Sequence, residues 1–280
     1  MTPLVFTLLA FVVSIAAGFV GSLLGLGGGI IVIPALTLLL HVDIRFAIGA
    51  SIVSVIATSS GAAVAYVREH MSNLRVAMFL EIATTTGAIS GAYLAGHISN
   101  ATLYLIFGGL LAASALQMLR HHGGDSTAPV PPDRIADRLR LHDSYYDPAT
   151  GKVVPYRVTH SGLGLLLMYL AGGVSGLLGV GSGAMKVLAM DLAMRLPIKV
   201  STATSNFMIG VTAAASAGVY FARGDINPFI AAPVAAGVLG GALAGSHLLG
   251  RISGGLVRGF FIVVLLIIAA QMLYQGVVRW

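Results

Sequence analysis

The chain has no cysteine, one tryptophan and charged side chains at only 9% of its 280 positions. Without cysteine there is no disulfide framework, no thiolate metal site and no cysteine nucleophile. Charge this sparse cannot wet the surface of a soluble domain, where about 25% is usual. A basic stretch before the first apolar run is missing too. The chain opens Met1-Thr2-Pro3, so no cleaved secretory signal is expected. The eight histidines are scattered, with no His-x-x-x-His pair and no His/Asp cluster, so no metal is expected. There is no Gly-x-Ser-x-Gly elbow, and no Gly-Lys-Ser/Thr ending follows any glycine run. Neither an enzyme nor a bound cofactor is expected.

Hydrophobic residues make up 57% of the chain, and mean hydropathy is +0.92. Apolar runs near the roughly 20 residues that cross a hydrocarbon core recur along the whole sequence. In lipid every backbone N–H and C=O must pair within the protein, and these runs lack the alternation of barrel strands. The expected fold class is all-α, a polytopic helical bundle in a cell membrane. The net charge of +6 sits mostly in loops between spans, where membrane topology accounts for it without nucleic acid.

Sliding the sequence against itself gives an ungapped match at an offset of 154 residues. Ala17-Gly18-Phe19-Val20 meets Ala171-Gly172-Gly173-Val174, and Leu23-Leu24-Gly25-Leu26-Gly27 meets Leu177-Leu178-Gly179-Val180-Gly181. The register holds at Ser51/Ser205, Tyr66/Tyr220, Asn73/Asn227, Gly87/Gly241 and Gln117/Gln271. Matches at polar and glycine positions in one register point to duplication. The chain divides into a first transmembrane repeat (1–120), a linker (121–160) and a second repeat (161–280).

Each repeat opens with a long apolar stretch, 4–40 and 161–196, followed by three spans near 46–67, 76–95 and 101–119, then 200–221, 228–249 and 256–275. A helix over 4–40 would reach roughly 55 Å against a core of about 30 Å, so it must tilt, break or fold back. Gly25-Leu26-Gly27-Gly28-Gly29 and Gly179-Val180-Gly181-Ser182-Gly183 are where it would do so. If the linker is cytoplasmic and each half crosses five times, twelve Lys/Arg lie inside and three outside; with four crossings the split is ten to five. Positive-inside bias therefore favours inverted repeats. The linker predicts a short helix over Arg134–Leu139, a hairpin over 145–156 and, on its polarity, a solvated connector.

Candidate site residues follow from what a membrane interior tolerates. Paired glycine breaks at matching positions mark a midplane binding site in transporters built from repeats, which brings in Gly25, Gly27, Gly28, Gly29, Gly179, Gly181, Ser182 and Gly183. The competing reading is close helix packing. Lys186 lies inside an apolar run, where a charge costs about 2.5–3.5 kcal/mol by insertion scales. It either faces a cavity and attracts an anion or snorkels to an interface. Glu81 is a coupling carboxylate, a counter-ion to Lys186, or an interfacial partner of Arg75 or Arg68. Ser51, Ser54, Ser205 and Asn206, on hydroxyl-rich spans, can donate to an oxyanion or bond between helices. Ser205 and Thr212 share a helical face by their spacing of seven.

Gly18-Phe19-Val20-Gly21-Ser22-Leu23-Leu24-Gly25-Leu26-Gly27-Gly28-Gly29, continuing to Pro34, resembles the signature of the sulfite exporter TauE/SafE (TSUP) family of anion permeases. So does its degenerate copy from Gly172 to Gly183, and Asp143-Ser144-Tyr145-Tyr146-Asp147-Pro148 resembles a subset of those proteins. The resemblance spans nearly the full length. It implies a secondary transporter, without ATP hydrolysis, for sulfite or small organosulfonates in the cytoplasmic membrane. An anion channel is the alternative. The expected partners are a small anion and the bilayer, with a homo-oligomer left open.

Overall fold

The computed structural model describes residues 2–23, 29–68, 72–120, 132–147, 151–249 and 254–278. Gly25, Gly27 and Gly28 lie outside them. The described chain is helical apart from one two-stranded antiparallel sheet.

Helix α1 (Pro3–Leu23) is followed by a six-residue helix α2 (Gly29–Pro34) that runs into a π-helical turn over Ala35–Leu39. Both α2 and this turn touch α1, so the long apolar stretch doubles back rather than continuing. Three long helices come next: α3 (Ile44–Arg68), α4 (Leu74–Ala95) and α5 (Asn100–Arg120). After the linker the same order returns. Helix α7 (Ser161–Leu178) leads to a six-residue α8 (Gly183–Leu188) and a π turn over Ala189–Ala193, then α9 (Ile198–Arg223), α10 (Pro228–Leu249) and α11 (Gly254–Val278). Each long helix has 18 to 26 residues, about 27–39 Å at 1.5 Å per residue, close to a hydrocarbon thickness. Pro3–Val20 and Ser161–Leu178 are uninterrupted apolar windows. On α1, Leu4, Leu8 and Val12 turn outward and are more than half exposed, a face that suits lipid rather than water.

Packing pairs helices across the two halves. Helix α1 lies on α10, α4 on α7, α3 on α9 and α5 on α11. Glycines permit the closest approaches. A Cβ on Gly18 would fall on the Val238 carbonyl, and one on Gly172 would fall on that of Thr84. Likewise Gly87 meets the Tyr169 carbonyl and Gly241 that of Ile15. In both comparisons the two contacts differ by 154 residues on each side.

The helix ends fix directions. Arg45, at the start of α3, donates to Ile98 O and Asn100 Oδ1 between α4 and α5. At the other end of the bundle, Asn73 bonds the linker, and Thr159 N donates to Met194 O just before α9. Thus α3 starts at the end remote from the linker and α9 starts at the linker end.

The linker forms α6 (Arg134–Arg138), capped by Asp133, and the hairpin β1 (Asp143–Asp147) with β2 (Lys152–Tyr156), in which Tyr145 pairs with Val154. Most of its described residues are exposed, as its polarity suggests, but it is also anchored at apolar points. Ala136, Leu141 and Val158 are fully buried in a cluster with Val76, Leu80, Met190 and Met208. Within the short helix Ala136 alone is buried, while Ile135 and Leu139 stay exposed.

Candidate functional site

The second break is built by three consecutive departures from helix. Gly179 closes α7 in the left-handed conformation, and Gly181 repeats it at φ 75°. Glycine takes these angles without steric cost. Ser182 adopts φ 44° as well, a conformation unfavourable by roughly 1–2 kcal/mol for a residue with a Cβ. Its hydroxyl is buried and unpartnered. Ser51 Oγ donates to Gly179 O at 2.8 Å, and Ser205 Oγ donates to Gly183 O at 3.2 Å. A Cβ on Gly29 would come within 2.7 Å of Ser51 Oγ and 3.3 Å of Gly179 O. The end of the first break and the whole of the second therefore meet in the buried interior.

One turn beyond Ser182, Lys186 is completely buried, with 0% of its surface exposed. Its Nζ donates to Thr212 Oγ1 at 2.6 Å and to Met208 O at 3.3 Å. Thr212 Oγ1 in turn lies 2.7 Å from Glu81 Oε1. Thr85 Oγ1 donates to the same carboxylate oxygen at 3.2 Å. The other oxygen, Glu81 Oε2, is buried and has no partner. Three helices thus assemble an ammonium, a hydroxyl and a carboxylate: α8 gives Lys186, α9 gives Thr212 and α4 gives Glu81. An isolated buried charge costs several kcal/mol, whereas a hydrogen-bonded pair of opposite charges leaves the site neutral.

This arrangement decides among the expectations. Lys186 does not snorkel to an interface. Glu81 does not pair with Arg75, which instead donates to Arg140 O in the linker. Nor does it touch Lys186 directly; the threonine hydroxyl stands between them. Ser54 is buried and donates to Ser51 O in its own helix. Asn206 is half-buried, turned about 100° along α9 from the face that carries Ser205.

A family profile described as sulfite exporter TauE/SafE matches residues 10–272. The chain belongs to the sulfite exporter TauE/SafE family. Among its relatives, the probable membrane transporter protein YunE of Bacillus subtilis is 26% identical over 273 residues, covering 95% of this chain and 97% of that protein. A probable membrane transporter protein of Xylella fastidiosa is 29% identical over 249 residues, covering 85% and 86% respectively. No solved structure matches. Membership makes this helical bundle a membrane protein, consistent with its outward-facing apolar side chains.

Thr212 joins this family member's buried cluster although the sequence did not assign it to the site. Its signal was the spacing of seven from Ser205, which puts both hydroxyls on the inward face of α9. A separate cavity of about 620 Å³ opens at the end remote from the linker, lined by Tyr93, His97, Val219 and Arg223. None of the expected site residues lines it. At the linker end, Asn73 donates its amide to Leu141 O and to Tyr156 Oη. Burial pushes the Tyr156 phenol up to about 12 against the opposing effect of that hydrogen bond. Burial also acts to raise Asp133, but bonds from Ser161, Ile135 and Ala136 outweigh it and hold the carboxyl below its usual value.

Proposed function

We propose that this protein is a secondary transporter that carries small sulfur-containing anions, sulfite or organosulfonates, across the cytoplasmic membrane by alternating access. Coupling to an ion or proton gradient runs through Glu81. The observation that carries the reading is Lys186, a fully buried cation in the short helix after the second glycine break and within one hydroxyl of a carboxylate. A lysine held at such depth suits an anionic cargo, since any replacement for its internal counter-charge must itself be negative. Ser51, Ser182 and Ser205 at the breaks are the candidate hydroxyl donors to its oxygens, with Gly29, Gly179, Gly181 and Gly183 allowing close approach. The sulfur chemistry comes from the family description and not from the geometry of the site.

In this reading the two halves are inverted repeats. The recurrence of element order, the carbonyl-to-glycine contacts offset by 154 residues, and the opposite ends at which α3 and α9 begin all support it. Rocking of one half on the other, around breaks that meet at the centre, would open the site to each side in turn. An anion channel would need a continuous path, and the sealed environment of Lys186 favours a carrier.

The test is counterflow of labelled sulfite in proteoliposomes, with sulfonates, sulfate, chloride and carboxylates as competitors. A carrier gives saturable exchange that one class of competitor blocks. Lys186→Ala should lower that exchange at least 100-fold; a variant that exchanges like wild type would remove the lysine from the site. Flux without saturation or counterflow would favour the channel.

A further inference from the structure

Glu81 is the carboxylate linked to the buried ammonium through one hydroxyl. Its Oε1 is held by Thr212, the same hydroxyl that receives the Lys186 ammonium, while Oε2 is buried without a partner. The titratable groups on the packed elements can be counted. Helix α4 carries Arg75, Glu81 and Tyr93; α7, packed along it, carries Tyr169; α8 carries Lys186; α9 carries Lys199, Tyr220 and Arg223. The π turn after α8 adds Asp191, half-buried. Arg75 is taken up by the linker, Tyr169 by Ser90, and Tyr220 and Arg223 lie at the far end of α9. Lys186 reaches Glu81 through a shared hydrogen-bonding atom, the Thr212 hydroxyl.

From this we propose that Glu81 is the internal counter-charge of Lys186, relayed through the Thr212 hydroxyl and neutralised when cargo binds the ammonium, and that this neutralisation takes one proton. Thr212 is the positioning residue that links the two groups. The inference rests on the transporter reading above. The charge balance is simple. The empty site holds one ammonium and one carboxylate and is neutral. A bound monoanion on the ammonium, with a proton from the aqueous phase on the Glu81 carboxylate, is neutral again. Cargo without the proton leaves the site at −1, and the proton without cargo leaves it at +1. Each of those states places an uncompensated charge where it costs several kcal/mol. The two neutral states are the ones able to reorient, so a monoanion moves with one proton and no net charge crosses the membrane. The unpaired Oε2 is the atom that takes the proton.

The experiment uses labelled methanesulfonate, which stays a monoanion over the usable pH range, so that its own protonation cannot mimic coupling. Wild-type protein in liposomes should accumulate it down an imposed proton gradient, with one proton per anion, and should ignore a potassium–valinomycin potential. Glu81→Gln should lose gradient-driven accumulation at least tenfold more than it loses methanesulfonate counterflow, since with a neutral amide the loaded site is neutral without a proton. Thr212→Val keeps the shape without the hydroxyl; its proton-to-anion ratio should fall below one while counterflow persists. Accumulation driven by potential or by sodium in the wild type, or proton-driven accumulation that survives Glu81→Gln, would overturn the proposal. If Glu81→Gln does not fold, a wild-type ratio in Thr212→Val overturns it. Absence of counterflow for methanesulfonate and sulfite alike in folded wild-type protein would instead sink the transporter reading, and the proposal with it.

Discussion

Helices α2 and α8 are built alike and used differently. Each has six residues, follows a glycine run and ends in a five-residue π turn. The fourth residue of each is completely buried, Val32 in one and Lys186 in the other. Burial alone therefore does not distinguish the charged arm. What differs is the surroundings at matching positions. Glu81, which answers Lys186, has Ala235 at the offset of 154, and Thr212 has Thr58. Both threonines lie against the carbonyl four residues back in their own helix, Met208 O for Thr212 and Ser54 O for Thr58, but Thr212 also bridges the ammonium and the carboxylate. Lysine and glutamate, one from each half, meet at α8, and both of their counterparts around α2 are uncharged. A buried charge is tolerated only where its opposite is supplied, so the fold keeps the frame twice and the charge pair once.

Transplanting the pair gives the largest expected effect. Val32→Lys alone buries a cation without a carboxylate and should cost on the order of 3–5 kcal/mol, the penalty of an uncompensated buried charge. Most of the protein should then be lost from the monodisperse fraction in detergent. Adding Ala235→Glu should recover much of that loss if the two arms are structurally equivalent. A double variant no better folded than Val32→Lys would break the comparison, because position 235 would then not face position 32.

The bridging hydroxyl is the next handle. Thr212→Val should raise the KM for sulfite counterflow about tenfold, equivalent to roughly 1.4 kcal/mol, because Lys186 and Glu81 lose their shared partner. Thr58→Val should change KM less than twofold, since Thr58 serves only its own backbone. Equal effects would mean that the hydroxyls matter for helix geometry and not for the charge pair.

Much of this frame was legible in the sequence. The long apolar spans locate the helices to within a few residues, because a bilayer demands that length and composition. The breaks were legible as glycine runs. Lys186 and Glu81 were each conspicuous as charges in apolar surroundings, and a counter-ion relation was among the readings. Their actual link was not legible. It runs from α8 to α4 through a hydroxyl on a third helix, and helical periodicity says which face Thr212 occupies but not what meets that face. The docking of the linker was missed for a related reason. A five-residue helix offers too few apolar positions to signal burial, yet Ala136, Leu141 and Val158 all enter the cluster beneath Met208.

That docking yields the smallest predicted difference between the halves. Asn73 and Asn227 match at the offset, and each side-chain oxygen accepts a backbone N–H from the first turn of the following helix, Val76 in α4 and Phe229 in α10. Loss of such a cap costs about 1 kcal/mol, so Asn227→Ala should lower stability in detergent by about that amount. Asn73 does more. Its amide also holds Leu141 O and the Tyr156 hydroxyl, and its own N–H donates to Thr204 on α9. Asn73→Ala keeps the backbone bond but strands Leu141 O and Tyr156 Oη, and a buried unsatisfied group costs roughly 1–3 kcal/mol. It should therefore be the more destabilising of the two by about 1 kcal/mol or more in thermal melts. Protease cleavage within 132–160 should also accelerate in Asn73→Ala and not in Asn227→Ala. Equal melting points and equal cleavage would mean that the linker is held by its apolar contacts alone.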